Sequence, residues 1–258
     1  MIVRIIGGHG GVGQKARATS YLIDGKILID AGSVAEGLTL EEQLGLSAIF
    51  ISHAHLDHVK DLAFLADNCF GQRPTPFSIY ATSRVRQMIK KHILNDQIWP
   101  DFTKLPSIHH PTLSFHPLKL LVPLQIDDYS ILPVKVNHPG PGTGFIVEKG
   151  DVACVFTQDT GPTEEIWQEA HKFHKKIKAI FTEISFPNAM QHVATVSKHH
   201  TPHTLSEEIM KMPKEVPLFI GHLKPTYQTT LCAEIAALNN PRLIVMETDD
   251  QSYVINDR

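Results

Sequence analysis

The 258-residue sequence is poor in cysteine, with three residues spread as Cys69, Cys154 and Cys232. An odd, scattered set is a weak basis for a disulfide framework, so a reducing cytoplasm is the expected compartment. No apolar run approaches the roughly 18–20 residues needed to cross a bilayer, and no membrane is expected as a partner. The opening Met1-Ile-Val-Arg-Ile-Ile-Gly-Gly lacks a basic start, an apolar stretch and a cleavage site, so a signal peptide is not expected. Charge of one sign is also lacking. The net charge of -3 gives no basic footprint, and nucleic acid is not an expected partner. Repeats, low-complexity segments and linkers are absent too, so 1–258 reads as one domain.

What the chain does have is histidine, 16 residues of it. Their placement carries the argument. Strands are expected at 2–6, 21–23, 27–29 and 46–51, the second and third joined through Asp24-Gly25. A helix follows over 57–68. Proline punctuates 70–126, which reads as irregular apart from a helix at 83–93. Strands at 131–137, 144–148 and 152–157 come next. Helices at 163–175, 204–212 and 228–238 then alternate with strands at 178–183, 217–221 and 243–247. This pattern predicts two β-rich halves packed together under outer helices, an α/β/β/α layering.

Ile51-Ser52-His53-Ala54-His55-Leu56-Asp57-His58 lies between a buried strand and a helix start. Imidazoles and a carboxylate together suit zinc, manganese or iron. Four donors within six residues crowd a single ion, so division between two is easier: His53 and His55 on one, Asp57 and His58 on the other. Two ions about 3.5–4 Å apart could share a hydroxide and stabilise an in-line displacement at phosphorus. Asp57 also has a plainer reading as a helix cap.

This His-x-His-x-Asp-His motif resembles the signature of the metallo-β-lactamase superfamily, whose four-layer αββα sandwich is the arrangement argued above. The resemblance implies further donors at strand ends: His138 completing the first site, His222 the second, and Asp159 bridging both. Other segments resemble class II 3',5'-cyclic nucleotide phosphodiesterases: Lys91 to Phe102, Glu183-Ile184-Ser185-Phe186-Pro187-Asn188 and Ser197-Lys198-His199-His200-Thr201-Pro202. Thr19-Ser20-Tyr21-Leu22-Ile23 and Ile29-Asp30-Ala31-Gly32 match it as well. Asp61 stands where that family has Gly or Ser, Lys198 where it has Gly, and His200 where it has Leu.

The resemblance implies a two-metal enzyme, with zinc or alternatively manganese or iron. It would hydrolyse cyclic AMP or cyclic GMP to the nucleoside 5'-monophosphate through a metal-bridging hydroxide. Relatives of this kind are often homodimers. Asp57, His199 and Glu183 are the expected catalytic group, with His199 donating a proton or clamping phosphate and Glu183 orienting it. Asn95, Trp99, His199 and Thr201 are expected at the substrate, with Phe102 as a second aromatic face and Lys224 as a phosphate contact. Trp99 could equally pack in the core, Lys224 could be solvated, and Thr201 could cap the next helix. His171 and His174 read as part of a charged helix face. His9, in Gly7-Gly-His-Gly-Gly-Val-Gly13, could reach the cleft; without a strand–helix context the string is not a dinucleotide loop. Two other functions fit the same fold: a tRNA 3'-processing endonuclease or other phosphodiesterase, and a non-catalytic nucleotide-binding scaffold.

Overall fold

The computed structural model describes residues 1–173, 175–246 and 249–256. His174 and Glu247, which the expected helix at 163–175 and strand at 243–247 include, lie outside the described residues. Two seven-stranded sheets form the centre of the molecule. The first runs Ser252–Val254, Ile2–Gly7, Ser20–Ile23, Ile27–Ile29, Ala48–Phe50, Phe77–Ala81 and Leu113–Pro117. The second runs Leu243–Val245, Leu218–Gly221, Ile177–Glu183, Val152–Phe156, Thr143–Lys149, Tyr129–Lys135 and Leu124–Ile126.

Period-2 alternation explains how the sheets pack. Ile5, Tyr21, Ile23, Ile27, Ile29 and Phe50 of the first sheet meet Ile131, Phe145, Val147, Phe156, Phe181 and Phe219 of the second. The alternate residues face outward. Leu22, Leu28, Ile49 and Ile79 bury against helices Asp61–Asn68 and Ser83–His92. On the other side, Val134, Ile146, Ile180 and Ile220 bury against helices Glu165–Lys172, Pro202–Glu208 and Gln228–Ala237. The fold is therefore the four-layer αββα sandwich.

The proline-rich middle is more regular than expected. Phe77–Ala81 and Leu113–Pro117 are parallel neighbours inside the first sheet. Phe77-Ser-Ile-Tyr-Ala81 does alternate in burial, but Pro74 and Pro76 stand just before it and mask the signal. The edge strands Leu124–Ile126 and Ser252–Val254 are three residues each, too short to announce themselves. The helix expected at 57–68 is two helices, Leu56–Val59 and Asp61–Asn68, meeting at Lys60.

The strands position the site. Ile27–Ile29, Ala48–Phe50 and Phe77–Ala81 run parallel, as do Val152–Phe156, Ile177–Glu183 and Leu218–Gly221. In parallel arrangements ligands collect beyond the carboxyl ends of the strands. His53, Asp159 and His222 all follow such ends.

Candidate metal centre

The structure brings His53, His55, His138 and Asp159 into one four-donor group, and Asp57, His58, Asp159 and His222 into a second. Asp159 belongs to both. Its Oδ2 lies 3.6 Å from His53 Nε2 and 3.8 Å from His138 Nε2. Its Oδ1 lies 3.2 Å from His58 Nε2 and 3.1 Å from His222 Nε2. Asp57 Oδ2 is 3.3 Å from His222 Nε2, and His55 Nδ1 is 3.2 Å from His138 Nε2. Donors bonded at about 2.0–2.1 Å around a tetrahedral ion stand about 3.3 Å apart, so the spacing suits one ion per group.

The ring tautomers agree. His58 Nδ1–H donates to Asp30 Oδ2 at 2.6 Å. Ser52 Oγ donates to the same oxygen at 2.6 Å and accepts from His53 Nδ1 at 2.9 Å. His138 Nδ1–H donates to the Lys198 carbonyl at 3.1 Å, and His222 Nδ1–H to Ser185 Oγ at 2.9 Å. Each bond leaves Nε2 as the bare, metal-facing nitrogen. Two atoms, His53 Nε2 and Asp159 Oδ1, are buried without a hydrogen-bond partner among the described residues. Buried polar atoms are rarely left so, and a cation in each group would satisfy them.

Electrostatics favour the ligand forms. Burial, reinforced by the neighbouring His58, pulls His53 well below the ordinary imidazole value. Burial likewise brings His138 to about 4. For Asp159 burial works the other way, yet His222 and His58 hold its carboxyl well below the usual range. His58 is the exception. Burial opposes its charge, but Asp159 and Asp30 raise it well above the ordinary value. Asp30 thus presses negative charge on Nδ1 and makes Nε2 a stronger donor.

Beside the second group, His199 Nδ1 donates to Glu183 Oε1 at 2.9 Å. Burial opposes a charged His199, but Glu183 overcomes it and raises the ring above its ordinary value. The His199 ring lies 4.9 Å from that of His138 and 5.4 Å from that of His222. Glu183 and His199 therefore adjoin both groups.

The other expected residues have these contacts. Asn95 Oδ1 accepts from the amides of Gln97 and Ile98, and its Nδ2 donates to the Lys91 carbonyl, so its polar atoms serve its own turn. Trp99 Nε1 donates to the Ala63 carbonyl, and its ring packs on Phe64 and the first outer core. Phe102 is buried in that core. Thr201 Oγ1 accepts from the Thr204 amide at the start of helix Pro202–Glu208 and donates to Gln191, the capping role. Lys224 Nζ donates to the Gly10 carbonyl and sits over the Phe186 ring. The His9 ring is buried, its Nδ1 3.4 Å from Asp249 Oδ1.

Asp30, Ser52, Gln158 and Ser185 were not singled out from the sequence, although all support the donors. Gln158 Nε2 also donates to Asp30 Oδ2. The available signal was Asp30 closing a buried strand in Ile29-Asp-Ala-Gly32, where a carboxylate needs a partner.

Residues 26–222 match the β-lactamase superfamily domain, and the chain belongs to that family. Among curated proteins it is similar to a 3',5'-cyclic-nucleotide phosphodiesterase of Aliivibrio fischeri, 27% identical over 274 residues, covering 85% of this chain and 80% of that protein. Among solved structures it resembles unliganded yeast PDE1, with a TM-score of 0.79 at 16% identity over 97% of this chain and 98% of that one. Human tRNase Z, short form, shares the fold with a TM-score of 0.70 at 16% identity, covering 99% and 100%.

Proposed function

We propose that this protein hydrolyses 3',5'-cyclic nucleotides, cyclic AMP or cyclic GMP, to nucleoside 5'-monophosphates. The observation that carries the reading is one carboxylate, Asp159, shared by two four-donor groups with the His199–Glu183 pair beside them. The similarity to a phosphodiesterase of that name across most of both chains supports the substrate class.

His53, His55, His138 and Asp159 would hold one divalent ion, and Asp57, His58, Asp159 and His222 the other, with zinc the first choice and manganese or iron compatible. When bound, such a pair supplies cationic charge against the phosphodiester and lowers the pKa of water. The remaining chemistry belongs to the chain. The substrate carries a negative charge throughout, and the site presents imidazoles, not competing anions, on most of its wall. Water attacks phosphorus opposite the 3'-oxygen, the P–O3' bond breaks, and the departing oxygen needs a proton. His199 with Nδ1 committed to Glu183 carries a second proton at Nε2, and that proton goes to O3', while the proton lost by the attacking water restores the charged ring. Glu183 keeps the ring oriented and charged. A reducing cytoplasm and a homodimeric state complete this reading.

The decisive assay offers cyclic AMP, cyclic GMP, a generic phosphodiester and a tRNA precursor to the metal-loaded protein and identifies the product by chromatography. Formation of the 5'-monophosphate is expected. Exclusive cleavage of the generic diester or of a tRNA precursor would sink the proposal. In the same assay His199→Ala should lower kcat about 100-fold or more with metal content intact. Loss of metal would make His199 a ligand instead.

A further inference from the structure

Ser185 has no part in the proposed chemistry beyond its bond to His222, yet its hydroxyl touches three of the residues that do. Oγ lies 2.9 Å from Glu183 Oε2, 3.0 Å from His199 Nδ1 and 2.9 Å from His222 Nδ1. The side chain is fully buried. Its backbone amide donates to the His200 carbonyl at 3.1 Å, which fixes where the hydroxyl can sit.

The hydrogen count admits one arrangement. A serine hydroxyl has one proton to give and two lone pairs to receive. Glu183 can only accept. Its Oε1 already takes the His199 Nδ1 proton and the amides of His200 and Thr160. Oε2 therefore takes the Ser185 proton. The hydroxyl oxygen is then free to accept from His222 Nδ1, and no other acceptor reaches that nitrogen among the described residues. With Nδ1 protonated, His222 turns a bare Nε2 toward Asp159 and Asp57. One hydroxyl thus fixes the tautomer of a metal-facing ring and braces the carboxylate that orients the proton donor.

We propose that Ser185 is a positioning residue that couples the second metal group, through His222, to the Glu183–His199 pair. The proposal rests on the two-metal phosphodiesterase reading. Partners behind a ligand typically change metal affinity 10- to 100-fold when removed. Ser185→Ala should therefore weaken one of two metal-binding events by at least about tenfold and leave the other unchanged. At saturating metal its kcat should also fall, because Glu183 loses a brace. In a His199→Ala background that further loss should disappear.

The experiment titrates zinc into metal-free wild type and Ser185→Ala by calorimetry, with unfolding curves run beside it. Two sites in wild type, with one weakened in the folded variant, is the expected result. Wild-type affinities at both sites in a folded variant, or equal weakening of both, would overturn the coupling while leaving the two-metal reading intact. A wild-type protein that binds no zinc would remove that reading and this proposal with it. If Ser185→Ala does not fold, Ser185→Gly also removes the hydroxyl and is read in the same way. Additive loss of kcat in the double variant would also count against the coupling.

Discussion

Four residues around the candidate metal centre hold left-handed backbone without being glycine: Asp30 at φ 59°, Gln158 at φ 53°, Lys198 at φ 57° and His222 at φ 57°. Such conformations cost about 1 kcal/mol or more for a side chain larger than glycine. Here they turn each chain sharply just past a strand or helix and aim donors inward. Lys198 shows what is specific. It ends helix Gln191–Ser197, and what the site uses is its carbonyl, which accepts from His138. Lys198→Gly should therefore raise stability by about 1 kcal/mol in denaturant melts while keeping metal content. A loss of metal would show that the lysine side chain matters to the donors. Gly10 is the reverse case. A Cβ there would come within 2.6 Å of the His222 ring nitrogen Nδ1 and within 2.6 Å of its carbonyl. Gly10→Ala should displace His222, and equilibrium dialysis should find close to one ion per chain in place of two. Two tightly held ions would show that the loop yields without moving the ring.

At the scale of elements, the hairpin turn Asp24-Gly25 does more than reverse the chain. Asp24 Oδ2 accepts from Tyr129 at 2.6 Å and from Lys149 at 2.8 Å, both on the opposite sheet. Burial works against the charge, but these partners and the Ile2 amide hold the Asp24 carboxyl below its ordinary value. A depressed carboxyl contributes stability that is present above the unfolded pKa of about 3.9 and lost as pH falls through the folded value. Asp24→Asn should therefore cost about 1.5 kcal/mol at pH 7, the low end for charged hydrogen bonds given a part-exposed Lys149. The deficit should shrink at pH 3. An equal deficit at both pH values would contradict the charge-based account.

The hairpin itself was legible, because Asp-Gly opens the three-residue loop Asp24–Lys26 between two apolar triplets. Its cross-sheet carboxylate was not, since no pattern in the sequence pairs residue 24 with residue 149. The same division runs through the site. His53, His55, Asp57 and His58 are visible because they crowd one junction. His138, Asp159 and His222 gained meaning only through the resemblance, and the structure brings all seven into the two groups. Asn95 and Trp99 were read for their chemistry, whereas the polar atoms of Asn95 serve its own turn and the Trp99 nitrogen is given to the Ala63 carbonyl on a distant helix. The strands at 77–81 and 113–117 were hidden by prolines that precede or end them, without interrupting the ladder between.

For the whole molecule, modest net charge separates small substrates from long ones. A chain of net charge -3 that grips one phosphodiester displaces few counterions. The logarithm of KM against the logarithm of salt concentration should have a slope of magnitude near one. An RNA tract contributes about 0.7 per phosphate contacted, so a slope several times steeper would point to a polynucleotide substrate. The sheet order carries a different consequence. Ile2–Gly7 lies between Ser20–Ile23 and Ser252–Val254, so one of its two neighbours comes from the far end of the chain. During synthesis the outer backbone amides and carbonyls of Ile2–Gly7 wait for partners until Ser252–Val254 has been made. Until then the nascent protein presents an open, apolar edge to its surroundings, and Ser252–Val254 is the strand that closes it.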